Sequence, residues 1–116
     1  MSVLAIVGSR TFDDYDLLVK EVDKIISKTK ITRIVSGGAS GADTLAEHYA
    51  RTNDISLCVY PADWKKYGKR AGFLRNHKII EECDICLAFW DGNSKGTKHS
   101  IDLARDTHKK TYVVYF

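Results

Sequence analysis

The chain has 116 residues, with 44% hydrophobic and 28% charged residues and a single proline, a balance that belongs to a globular domain and excludes a disordered tail or linker. At this length folding buries roughly 60% or somewhat more of the unfolded chain's surface, so one core forms without metal or disulfide staples. Eighteen Lys and Arg against fifteen Asp and Glu leave a net charge of +3, which suits an anionic small molecule and disfavours nucleic acid as the partner.

The first residues lack a basic leader and carry only a short apolar run. No later window approaches the ~20 apolar residues of a membrane span, so a cytoplasmic protein with no membrane partner is expected. Residues 3–7 are a continuous apolar run closing at Gly8, the pattern of a strand buried on both faces. Asp13 and Asp14 offer an N-cap for a helix to about Thr29, with Leu18, Val22, Ile25 and Ile26 on one face. Residues 32–36 read as a second strand, 40–53 as a helix started by Ser40, and 55–60 as a third strand. Residues 61–70, rich in charge and aromatic side chains, form the one long irregular stretch. A helix over 71–83, a strand over 84–90, a helix over 96–108 and a strand over 111–116 complete the chain. Five strands alternating with four helices predict one α/β domain over residues 1–116, a three-layer, doubly wound parallel sheet.

Cys58, Cys83 and Cys86 are few and odd in number, against a secreted disulfide framework. Cys83 and Cys86 form a C-x-x-C, but at a helix-to-strand junction rather than at the helix start that lowers a thiol pKa. His48, His77, His99 and His108 show no metal-ligand spacing, so neither a metal nor a cofactor is expected.

In a doubly wound sheet the ligand sits beyond the carboxyl ends of the strands. The residues there are Gly8-Ser9-Arg10, Gly37-Gly38-Ala39-Ser40-Gly41, Pro61-Ala62-Asp63-Trp64 and the run Asp91-Gly92-Asn93-Ser94-Lys95-Gly96-Thr97. Six of the eight glycines fall in these turns, where the backbone turns tightly or a ligand comes close. GGASGAD, ending at Asp43, and GNSKGT, containing Lys95, are two glycine-rich helix starts suited to phosphate or carboxylate. Neither is a Walker loop or a G-x-G-x-x-G turn. Each also reads as an ordinary capped turn. Arg10 has the fork geometry for an anion, Trp64 or Tyr67 could stack on a base, and Asp91 could take a ribose hydroxyl or cap its own turn. Arg75 and Asn76 read either as polar partners of a ligand or as a solvated helix face. Glu47 lies on the same helix face as Asp43 and equally suits an i, i+4 pair with Arg51.

Together VGSR, VSGGASGADTLAE, YPADWKKYGKRAGFLRN and CDICLAFWDGNSKGTKHSID resemble the small stand-alone YspA/YpsA-related branch of the SLOG superfamily, over nearly the whole chain. The resemblance implies a Rossmann-like fold with a nucleotide or nucleotide-derived ligand over Gly8, Ser9, Gly37, Gly38, Ser40, Gly41 and Asp43, and its phosphate at Gly96 and Thr97. It also implies a homodimer, by likeness to the lonely-guy phosphoribohydrolases of the superfamily. Those enzymes carry an Arg-Lys pair and then PGGxGTxxE. Here Arg75 matches the arginine, Asn76 replaces the lysine, Gly92-Asn93-Ser94 replaces PGG, and Ser100 stands at the glutamate. Serine cannot stabilise an oxocarbenium-like state or activate water as a carboxylate does. Either Asp43, Glu47, Asp63 or Asp91 takes the role beside Arg75, or the protein binds without cleaving. Three readings stand: a domain binding a nucleoside monophosphate or ADP-ribose-like ligand, with Arg10, Arg75 and Trp64 as contacts; an N-glycosidic phosphoribohydrolase; and single-stranded DNA binding in the manner of DprA.

Overall fold

The computed structural model describes residues 2–116. Five strands, β1 (Ser2–Gly8), β2 (Ile31–Ser36), β3 (Ser56–Val59), β4 (Ile85–Trp90) and β5 (Lys110–Tyr115), form one sheet in the order β3-β2-β1-β4-β5. Every neighbouring pair is parallel. The helices are α1 (Tyr15–Lys28), α2 (Ala42–Thr52), a one-turn α3 (Trp64–Tyr67) running into a 3-10 turn (Gly68–Arg70), α4 (Ala71–Glu82) and α5 (Lys95–Asp106). This is a three-layer, Rossmann-like α/β sheet. No helix among the described residues is long and apolar enough to cross a membrane.

Side chains of successive strand residues leave the sheet on opposite faces, and the central strands are apolar at both. Leu4 and Ile6 of β1 and Ile85, Leu87 and Phe89 of β4 meet Leu18, Val22 and Ile25 of α1 and Ala46, Tyr49 and Ala50 of α2. Ala5 and Val7 of β1 and Cys86 and Ala88 of β4 meet Ile79 and Ile80 of α4 and Ile101 and Ala104 of α5. The opposite faces of α1, α2 and α5 are polar, while α4 also exposes Phe73 and Leu74; burial of the apolar face holds each of these helices flat on the sheet.

Helix starts are where the structure departs most from the pattern. Asp14 caps α1, its Oδ1 accepting from the Leu17 amide. Ser40 does not cap α2. The N-cap is Gly41, at φ +76°, and no side chain caps this helix. A Cβ on Gly41 would run into the carbonyls of Ser9 and Arg10, so the chain passes β1 at a separation only glycine permits. Helix α5 starts one residue before Gly96, because Ser94 caps it by accepting from the Thr97 amide at 3.4 Å. The stretch expected to be irregular contains α3, capped by Asp63 through the Lys66 amide. Cys83 and Cys86 straddle the end of α4 and the start of β4 as buried free thiols, and burial pushes Cys83 up to about 11.

Leu87 is wholly buried at the centre of β4. Leu87→Ala is expected to cost about 2–5 kcal/mol. In urea the midpoint should fall with an unchanged m value; an unchanged midpoint would contradict this packing.

Candidate functional site

The strand order reverses at β1 and β4: from β1 the chain moves outward to β2 and β3, then returns to place β4 on the other side of β1. Here the loops that follow two adjacent strands lead in opposite directions and leave a crevice. A cleft of about 460 Å³ opens at this point. Its floor is Val7, Gly8 and Ser9 at the end of β1 and Ile79 of α4; its walls are Asp43, Arg75, Asn76, Gly96, Thr97 and Ser100, with Arg10, Trp64 and Asp91 at the rim. A second cavity of about 250 Å³ is lined by Gly37, Gly38, Ala39, Ser40, Pro61 and Ala62. Arg10, Ala39, Trp64 and Arg75 border both.

Asn76 and Arg75 build the shared wall. The Asn76 side chain is buried between α4 and α5, where its Nδ2 donates to the Gly96 carbonyl at 3.2 Å and lies 3.2 Å from His99 Nδ1. Its Oδ1 accepts from Arg75 Nε at 3.1 Å. Arg75 Nη1 then donates to the Gly37 carbonyl. A Cβ on Gly37 would overlap this guanidinium and come within 2.9 Å of Asp43 Oδ2, so the glycine is what lets the arginine cross. Burial holds the Arg75 guanidinium below its ordinary range; the Asp43 carboxylate opposes this shift and the Arg10 charge adds to it.

Asp43 sits in the first turn of α2 with 6% of its surface exposed. Its Oδ2 accepts from the Ala39 amide at 3.1 Å and holds the glycine turn in place. Burial raises its carboxyl to about 6, against the lowering pull of the Ala39 amide and of Arg75. Asp91 behaves oppositely. Its Oδ1 accepts from the amides of Asn93 and Ser94, both at 2.8 Å, and these bonds hold it below the usual carboxylate range. Ser9 is buried with its backbone amide bonded to the Phe89 carbonyl and its Oγ accepting from the Asp91 amide at 3.3 Å, which fixes β1 against the β4 turn.

Thus Gly8, Ser9, Arg10, Asp43, Trp64, Arg75, Asn76, Asp91, Gly96 and Thr97 come together on the larger cleft, and Gly37, Gly38 and Ser40 on the smaller. Gly41, Glu47, Asp63, Gly92 and Lys95 line neither. Glu47 pairs with Arg51 at 3.5 Å, Asp63 is occupied as a cap, and Gly92 shapes its turn at φ +86°. Of the four acids that could replace the glutamate at Ser100, only Asp43 is both buried and on the cleft. Lys69 and Phe73 also line the cleft and escape sequence reasoning. The available signal was Phe73 on the solvent side of α4, where an amphipathic helix carries a polar residue.

Residues 2–67 match the YspA, cpYpsA-related SLOG family. The chain is 37% identical over 109 residues to the Gene 61 protein of Mycobacterium phage D29, covering 85% of each. Among solved structures it is similar to DNA processing protein A from Streptococcus pneumoniae, with a TM-score of 0.71 at 22% identity over 95% of this chain and 49% of that one. The DNA processing protein A from Helicobacter pylori, described for its single-stranded DNA binding mode, superposes with a TM-score of 0.66 at 21% identity, over 96% of this chain and 64% of that one. The chain therefore spans about half of the first protein and under two thirds of the second, and at these identities the likeness is one of fold.

Because the folded protein holds the Asp43 proton to higher pH than the unfolded chain does, its contribution favours folding most below about pH 4 and is lost as pH rises through about 6. Asp43→Asn keeps an acceptor for Ala39 without the buried charge. It should gain roughly 1–3 kcal/mol over the parent near pH 8 and little near pH 4. Urea unfolding at the two pH values checks this; the same difference at both would contradict a buried, strained carboxylate.

Proposed function

The chain belongs to the YspA, cpYpsA-related SLOG family, and on that premise we propose that it binds a nucleotide or nucleotide-derived ligand, such as a nucleoside monophosphate or an ADP-ribose derivative, in the cleft between the ends of β1 and β4. The observation that carries this reading is the pair Arg10 and Arg75 on a cleft whose far wall is the start of α5. Arg75 spends Nε and Nη1 on Asn76 and Gly37, and Nη2 has no protein partner among the described residues. A guanidinium fixed in advance binds phosphate without the entropy cost of ordering a free side chain. The first turn of α5 adds backbone amides and the positive end of a helix dipole. Trp64, half exposed and lying against Gly72, offers a flat apolar surface for a base.

One observation favours a second reading, a single-stranded nucleic acid. Residues 61–75 contain Lys65, Lys66, Lys69, Arg70 and Arg75 against one acid, Asp63. The positive excess of the whole chain therefore lies in this segment, which also exposes Trp64, Tyr67, Phe73 and Leu74. A small net charge is a weak argument against nucleic acid when it is gathered on one ridge, since local charge and aromatic stacking govern such binding. The strand-binding mode described for the Helicobacter pylori protein, on a related fold, supports the same possibility.

Calorimetry against adenosine 5′-monophosphate tests the first reading. Arg75→Ala should weaken binding about 10- to 100-fold, the worth of a charge-assisted hydrogen bond pair, and Arg75→Lys should not restore it because an ammonium cannot hold both fixed contacts. Equal affinity in the parent and Arg75→Ala would refute the site. For the second reading, anisotropy of a labelled oligothymidine at low salt should show binding that the triple change Lys65→Glu, Lys66→Glu, Lys69→Glu removes; no binding by the parent would dismiss it.

A further inference from the structure

His99 stands on α5 and lines neither cavity, yet it ends the run of hydrogen bonds that fixes Arg75. Its Nδ1 is 3.2 Å from Asn76 Nδ2. The direction of that bond follows from the other two partners of Asn76, whose Oδ1 accepts from Arg75 Nε at 3.1 Å and whose Nδ2 donates to the Gly96 carbonyl at 3.2 Å. A guanidinium only donates and a carbonyl only accepts, so the carboxamide has no second orientation. Its remaining N–H turns to His99, and Nδ1 has to be the acceptor. The ring is therefore neutral, with its proton on Nε2.

A proton on Nδ1 would set one N–H against another. Turning the carboxamide over to accept from the imidazolium would bring its nitrogen to Arg75 Nε and its oxygen to the Gly96 carbonyl, so one bond gained breaks two. Only the neutral ring satisfies all three neighbours. The ring is half-buried, with Phe73 edge-on at 4.7 Å and His77 at 5.4 Å between ring centroids. Burial, and then the His77 charge, hold its pKa below the ordinary 6.5, against the pull of Asp102 one turn on. Asp102 is itself paired with Lys98 at 2.8 Å, and Glu81 and Lys109 share a groove with His77. From the sheet, Ala5, Val7 and Ala88 pack beneath the helix with the Cys86 thiol, which burial keeps protonated. Arg75 is joined to the ring through Asn76.

We propose that His99 is a positioning residue for the cleft: neutral, it locks Asn76 and so holds Arg75 across Gly37, and protonated, it releases both, so that the cleft gives up a bound anion as pH falls. What is released rests on the nucleotide reading above; the lock is a property of the free protein. Histidine is the side chain whose charge changes in the range where such release operates. A ring acting only as a charge would do the reverse, since an imidazolium near the cleft attracts phosphate.

Nuclear magnetic resonance of the whole chain without ligand tests the lock and needs no variant. Imidazole nitrogen shifts at pH 8 should show Nε2 protonated and Nδ1 bare, and the Asn76 side-chain amide and Arg75 Nε–H signals should move with the His99 ring on one titration curve between pH 8 and pH 5. An Nδ1–H tautomer at pH 8, a ring still neutral at pH 5, or Asn76 signals that stay put while the ring titrates overturns the inference. Calorimetry with adenosine 5′-monophosphate at the two pH values then compares the parent with His99→Asn, whose amide oxygen stands in for Nδ1 and cannot ionise. Titration of Asp43, of His77 and of the phosphate enters both proteins, so their ratio isolates His99. The two should bind alike at pH 8, and at pH 5 the parent should bind roughly 3- to 10-fold more weakly than His99→Asn, the worth of one lost hydrogen bond. His99→Leu, which removes the acceptor, should be weaker by a similar factor at both pH values. Parent and His99→Asn losing affinity in step, or the parent holding the nucleotide better than His99→Asn at pH 5, overturns the inference. Failure of the nucleotide to bind the parent at pH 8 removes the nucleotide reading, and the ligand-free signals still decide whether His99 locks the wall.

Discussion

The site depends on one buried carboxamide. Asn76 reaches from α4 to the Gly96 carbonyl on α5 with its nitrogen, and presents its oxygen to Arg75 on its own helix. Arg75 carries the connection onward to the Gly37 carbonyl after β2. Three elements far apart in sequence are thus tied through two neighbouring side chains. Because a backbone carbonyl only accepts, the Asn76 amide has one orientation that satisfies both Gly96 and Arg75. An unpaired carboxamide at this depth would cost about 1–3 kcal/mol, so the side chain is held where the arginine needs it. Arg75 is therefore a fixed part of the wall rather than a mobile surface charge.

Around that connection the sheet supplies the frame. The reversal of strand order at β1 and β4 opens the crevice, and the two hydrophobic layers hold α2 on one side of it and α4 and α5 on the other. The close passage of Gly41 over Ser9 and Arg10 seats the start of α2 against β1, which carries Asp43 beneath the glycine turn. Burial of that acid and fixation of that arginine are consequences of the same packing. Arg10 and Arg75 both border the cleft, and the buried acid beside Arg75 is Asp43, whose ionisation burial opposes.

Much of this was legible in the residues. Strict alternation of apolar runs and amphipathic segments identified all five strands and the four long helices, because the central strands β1 and β4 are buried on both faces, the edge strands β3 and β5 are partly buried, and each long helix buries one face. The glycine turns marked the carboxyl end of the sheet for the same reason that makes them useful: positive φ and close backbone approach demand glycine. What the sequence did not display were choices made by distant neighbours. Ser40 has the right chemistry to cap α2, yet the approach of the chain to β1 assigns the N-cap to Gly41. Asp43 and Glu47 are equivalent in spacing, but one faces the crevice while the other turns to Arg51. The bond from Arg75 to Gly37 spans 38 residues, and no local pattern encodes it. Summing charge over the chain also hid its gathering on the ridge before and along the start of α4.

The central claim is that ligand binding is organised by the end of β1, the Gly37 turn and the start of α5 together. Amide chemical shifts recorded during titration with adenosine 5′-monophosphate test it most directly. The account predicts that the largest changes fall on Ser9, Arg10, Gly37, Gly96 and Thr97, residues brought together only by the fold, and saturate with a single affinity. Changes confined to Lys65, Lys66 and Tyr67 on the outer ridge, with the crevice amides unmoved, would contradict it.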